Sequence, residues 1–158
     1  MATWNEFAEA SPELAATGRA LFERPKFGDG LLATVRGSGL PRINPIAAAI
    51  VDGHLLAFII VESAKLQDLV EDGRYAFHAH LDPAEPNEFE VRGHAHEMTD
   101  PAGRSSAAAG WAFEVDDGYR LFELSIESAV YGERPDPDAW PPRYTSWRSA
   151  AGASTVVS

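Results

Sequence analysis

Glu62-Ser63-Ala64-Lys65 stands where an apolar run gives way to a helical pattern. A strand-to-helix junction of this kind presents free backbone N–H groups and the positive end of the helix dipole, so it suits an anion. The Ser63 hydroxyl can cap the helix or donate to a phosphate oxygen, and Lys65 adds a point charge. A capping serine followed by a solvated lysine would look the same. Arg42 strengthens the anion reading. If Asp52-Gly53 closes a hairpin between the run holding Arg42 and the run ending at Val61, residue 42 falls near residue 63. Two cations and a hydroxyl would then converge on a single spot. Two histidine pairs, His78/His80 and His94/His96, have the i, i+2 spacing that puts both rings on one face of a strand. They lack a further ligand pattern, so the expectation is a polar sheet face near a ligand and no metal. The segment Trp140-Pro141-Pro142-Arg143-Tyr144-Thr145-Ser146-Trp147-Arg148 gathers aromatics and guanidinium groups on an extended arm, suited to stacking or to packing over a barrel.

The elements that must position these residues read as follows. Ser11 to Arg24 is an amphipathic helix behind a Ser11 cap with Pro12 at its first position, stopped by Pro25. Six strands follow: Leu31–Val35, Pro41–Val51, His54–Val61, Arg74–Leu81, Glu88–Met98 and Tyr119–Val130. The third is almost wholly apolar and reads as buried on both faces. Short helices are expected after Ser63 and after Asp100, and the arm from residue 131 reads as extended because of its prolines. Hairpin-linked strands with few helices indicate a mainly β, α+β fold, and closing a barrel would protect its edges. One domain is expected over residues 1–148, with 1–26 as an N-terminal helical part, 131–148 as the C-terminal arm and 149–158 as a flexible tail.

Composition narrows the function. The net charge of -11 argues against nucleic acid, because phosphate-backbone binding needs a basic surface. No apolar run approaches the roughly 18 residues of a membrane span. With no cysteine and no signal-like N-terminus, the expected compartment is the cytoplasm. No nucleophile elbow, P-loop or zinc-protease motif is present, so any demanding chemistry would belong to a cofactor.

The order Leu32-Ala33-Thr34-Val35-Arg36, Pro41-Arg42-Ile43-Asn44-Pro45, Asp52-Gly53-His54-Leu55, Ser63-Ala64-Lys65 and Asp72-Gly73-Arg74-Tyr75-Ala76 resembles the pyridoxamine 5′-phosphate oxidase-related flavin-binding split-barrel family. The resemblance runs from about Phe27 to Val130, and Trp140 to Trp147 resembles the ending of one branch. It implies a six-stranded antiparallel split β-barrel with flanking short helices, and FMN as cofactor. Arg42, Ser63 and Lys65 match the positions that hold the flavin phosphate. Asn44, Pro45 and Ile46, with Ile59 and Ile60, match strand segments along the ribityl chain and ring, and Trp147 matches an arm that approaches the flavin. The resemblance also implies a homodimer acting on a small molecule. Ala64 replaces a second basic residue common in relatives, Ile60 replaces polar side chains, and the ending lacks the arginine–histidine signature of vitamin B6 oxidases. True vitamin B6 oxidase activity is therefore not expected. The resemblance implies a flavin-dependent oxidoreductase; the alternatives are a reductase of the same fold that uses the deazaflavin F420, whose acidic tail needs more cations, and a non-catalytic barrel that stores or carries flavin or haem, the latter suited by the strand histidines. His78 is the candidate catalytic residue, as a proton donor or substrate contact that titrates near neutral pH.

Overall fold

The computed structural model describes residues 1–24 and 29–150. The chain opens with α1 (Trp4–Ala10) and α2 (Pro12–Phe22). α1 is held at its start by a capping box in which Thr3 and Glu6 satisfy each other's backbone N–H groups. Then come β1 (Asp29–Val35), β2 (Pro41–Ala47), β3 (Ala49–Val51), β4 (His54–Ile60), α3 (Ala64–Glu71), β5 (Arg74–Ala79), β6 (Glu88–Glu97), α4 (Pro101–Ala109), β7 (Tyr119–Glu133) and β8 (Arg143–Arg148). The strands form one antiparallel sheet in the order β2-β1-β5-β6-β7-β4-β3, with β8 beside β7. β7 is long enough to pair β6 along one edge and to share its other edge between β4 and β8.

Leu32, Phe77, Phe89, Val91, Leu124, Ile126, Leu55 and Ile59 point into the curl of this sheet and are fully buried. The two N-terminal helices close it: Trp4 and Phe22 meet Phe89 and Phe77 in edge and tilted ring contacts 4.9–6.5 Å apart, and Phe7 stands edge-on to Trp4 at 5.3 Å. Gly18 lets α2 lie directly on the sheet, since a Cβ there would fall 2.1 Å from the Phe89 ring. A smaller apolar cluster forms outside the sheet, where α4 and Trp111 cover Leu56, Phe58 and Leu121. β4 is therefore buried on both faces, as its composition predicts.

Local signals are realised where expected. Asp52 and Gly53 both take positive φ in the β3–β4 turn, Gly73 (φ 77) ends α3, and the Asp100 carboxylate caps α4 by accepting from the Gly103 N–H at 2.8 Å. Four expectations are corrected. The sheet has eight strands where six are expected. The run Pro41–Val51 is two strands, because the chain turns a corner at Ala48: β2 joins β1 while β3 joins β4, at opposite ends of the sheet path. The C-terminal arm is a strand, its prolines lying before β8 and leaving the backbone of residues 143–148 free to pair. Ser149, placed in the tail by composition, is buried and donates its N–H to the Glu127 carbonyl. The helix stop at Pro25 and the tail beyond residue 150 lie outside the described residues. Among the described residues no helix is long and apolar enough to cross a membrane.

Candidate functional site

α3 begins directly after the buried strand β4. The Ser63 hydroxyl donates to the Ile60 carbonyl at 2.7 Å and accepts from the Leu66 N–H at 3.4 Å, so it is a helix cap and its proton is already engaged. Lys65, in the first turn, is half-buried. It has neither hydrogen bond nor ion pair among the described residues, and burial alone lowers its pKa from the usual lysine range. A desolvated ammonium without a counter-ion is an unbalanced charge that an anion would complete.

Arg42 arrives by a different route from the one its spacing suggests. Because β2 leaves at Ala48, Arg42 stands opposite Thr34 of β1 and not opposite residue 63. Its side chain nevertheless reaches α3. Its Nε donates to Oδ2 of Asp68 at 2.9 Å, and the Thr34 hydroxyl donates to the same oxygen at 2.7 Å. Burial pushes the Asp68 carboxyl up, but the Thr34 and Arg42 hydrogen bonds, with the charges of Arg42 and Arg36, hold it below the ordinary carboxylate range. Asp68 follows Lys65 by three residues, one turn along the helix. Arg42 and Lys65 thus both attach to the first two turns of α3.

The remaining expected site residues flank the split in the barrel. β2 pairs only with β1, and β3 covers β4 only at residues 54–56. The backbone edges of Pro41–Ala47 and of Ala57–Ile60 therefore lack strand partners on one side among the described residues, and the outward-pointing groups there are available to a ligand, the Ile60 carbonyl excepted because it already accepts from Ser63. Ile46 and Ile59 have their side chains in the core, so they could reach a ligand only through the backbone. Asn44 is half-buried, while Pro45 and Ile60 are exposed. Trp147 is not presented to this region. Its ring lies 4.9 Å from that of Phe7 and packs on the core. Trp147→Ala is accordingly expected to cost about 3 kcal/mol of stability in chemical denaturation while leaving FMN affinity of the folded protein unchanged.

His78 lies on the outer face of β5, in a row with Leu31 and Pro45 on one side and Glu90 on the other. Its Nδ1 donates to the Ala79 carbonyl at 2.6 Å, so the neutral ring carries its free lone pair on Nε2. Nε2 is thus the ring atom left to face a ligand. A cleft of about 190 Å³ beside it is lined by Glu88, Glu90, Arg92, Val130 and Tyr144. The second histidine pair is offset along the ladder, His94 standing opposite Arg74 and not opposite His78. The His94 and His96 rings stack at 5.6 Å. No group of three or more His, Asp or Glu among the described residues is placed to hold a metal ion.

The sequence reading does not single out Thr34 or Asp68 for the site; Tyr144, named there only as part of the arm, donates its hydroxyl to Glu88 at 3.1 Å. One signal was present: Asp68 lies between Leu66 and Leu69, on the face α3 turns inward.

No protein-family profile matches the chain, and no curated protein matches it. Solved structures do. A haem-binding protein from Mycobacterium smegmatis superposes with a TM-score of 0.65 at 15% identity over 87% of this chain, which spans 59% of that protein's length. A general stress protein 26-related member of the pyridoxinephosphate oxidase family from Clostridium acetobutylicum gives 0.59 at 13% identity, covering 91% of this chain and 95% of that one. An F420 reductase gives 0.55 at 25% identity over 70% of this chain and 94% of its own. The resemblance seen in the sequence therefore holds at the level of architecture: this chain folds as a split β-barrel of the kind found in pyridoxinephosphate oxidase-family proteins.

Proposed function

We propose that the chain is an FMN-binding, oxidoreductase-like split-barrel protein that works as a homodimer in the cytoplasm on a small-molecule substrate. The observation that carries this reading is Lys65: a half-buried ammonium with no protein counter-ion, at a helix start, on the same helix that anchors Arg42. The distal nitrogens of Arg42 have no protein acceptor among the described residues. These features fit a phosphate, with Arg42 and Lys65 as its cations and the N–H groups of the first turn as neutral donors. The unpaired edges of β2 and β4 fit the ribityl chain and ring, through backbone groups of Asn44, Pro45, Ile46, Ile59 and Ile60. A bound flavin supplies two-electron or hydride transfer. The chain's own part is to fix the phosphate, present backbone groups to the ring and, through Nε2 of His78, contact the substrate.

The outer face of the sheet supports the dimer. Ile43 is 64% exposed and Leu31 39%, and both sit on the face that also carries Pro45, Ala33 and Ala76. An apolar sheet face of this kind is the sort of surface a second copy covers. Ile43→Asp is expected to convert the dimer to a monomer in light scattering; a wild-type monomer under the same conditions would contradict the homodimer. Spectroscopic titration tests the cofactor. FMN should saturate at one per chain and bind more tightly than riboflavin, which lacks the phosphate, whereas tighter binding of F420 or haem would replace this reading with one of those.

A further inference from the structure

We propose that Asp68, braced by Thr34, is a positioning residue that orients Arg42 for a phosphate, an inference that rests on the phosphate reading above. Asp68 is 5% exposed and Thr34 2%. A buried carboxylate is costly unless its oxygens are satisfied, and an apolar residue between Leu66 and Leu69 would serve packing better. The carboxylate is satisfied here in a directed way. Thr34 and Arg42 are direct ladder partners on β1 and β2, so strand register delivers both donors to one oxygen, Oδ2, on α3. The contact uses Nε of Arg42 and leaves both terminal amino groups to act together. A planar guanidinium fixed through Nε presents these as an end-on fork, which suits two oxygens of one phosphate. An arginine already ordered loses less side-chain freedom when a ligand binds.

The opposite effect is also physically available. The negative charge of Asp68 repels a phosphate, and if Asp68 merely competes for Arg42, removing it tightens binding. The sign of the change therefore decides the role. The experiment measures flavin-fluorescence quenching with FMN and with riboflavin for the wild type, Arg42→Ala, Asp68→Ala, Asp68→Asn and Thr34→Val. Asp68→Ala is expected to reduce FMN affinity about tenfold, with a smaller loss for Asp68→Asn, whose amide oxygen still accepts a hydrogen bond. Riboflavin affinity should not change in either. The FMN-to-riboflavin ratio is the deciding quantity, since a general loss of structure would weaken both ligands together. If Asp68→Ala does not fold, the near-isosteric Asp68→Asn and Thr34→Val carry the test. An unchanged or increased ratio in the Asp68 and Thr34 variants, with the ratio lost in Arg42→Ala, overturns the positioning role and leaves the phosphate reading standing. A wild type that does not prefer FMN, or an Arg42→Ala that keeps the preference, overturns the phosphate reading and the positioning role with it.

Discussion

Lys65→Met is expected to lower FMN affinity at least about tenfold, since a hydrogen bond to a charged group is worth roughly 1.5–3 kcal/mol. It should do so without destabilising the ligand-free protein. Burial lowers the lysine's pKa in the folded state, so at neutral pH the charge opposes folding, and that opposition fades only as pH rises through the folded pKa. Methionine keeps the length of the stem and removes the charge. Thermal unfolding without ligand should therefore stay level or rise, while the upward shift produced by FMN should largely disappear. A lysine that only decorates the surface would change neither quantity. One that supports the fold would lower the ligand-free transition.

Gly93→Ala is expected to be the most damaging single-methyl change in the sheet. Gly93 sits at the irregularity where β6 shifts register against β7. A Cβ there would lie 1.9 Å from the Ser125 carbonyl oxygen and 3.0 Å from the Glu127 nitrogen, both backbone atoms that cannot rotate away. The β6–β7 ladder would have to open at the point where the barrel bends. The expected cost is about 3 kcal/mol or more, or roughly 6–12 °C in the transition measured by calorimetry. Gly110→Ala is the control: nothing stands within 4 Å of its Cβ position, and that substitution should lie within about 0.5 kcal/mol of the wild type.

Which features were legible in the sequence follows from how far each signal reaches along the chain. Asp52-Gly53, Gly73 and Asp100 act within a few residues of themselves, and each appears in the structure where the sequence places it. The double-sided burial of β4 was equally plain, because a run of apolar residues means the same thing in any partner arrangement. The corner at Ala48 was not legible. Ala47-Ala48-Ala49 continues the β pattern, and which strand each half joins depends on barrel closure, a property of the whole sheet. β8 was obscured by the prolines before it. α1 was overlooked, although Thr3 and Glu6 have the spacing of a capping box. In the site, Ser63 and Lys65 could be located because a helix start is local. The Asp52-Gly53 hairpin forms but extends back only to Ala49, so the convergence of Arg42 on the same helix is achieved through Asp68 instead. That residue escaped notice because a lone carboxylate in a short amphipathic helix reads as solvated until the fold shows which face is buried.

The most direct test of the phosphate-clamped flavin site is native mass spectrometry after incubating the protein with equimolar FMN, F420 and haem. The expected spectrum shows two chains retaining two FMN, with retention lost in Lys65→Met. A monomer, a complex that retains F420 or haem in preference to FMN, or FMN kept equally by Lys65→Met would contradict the account.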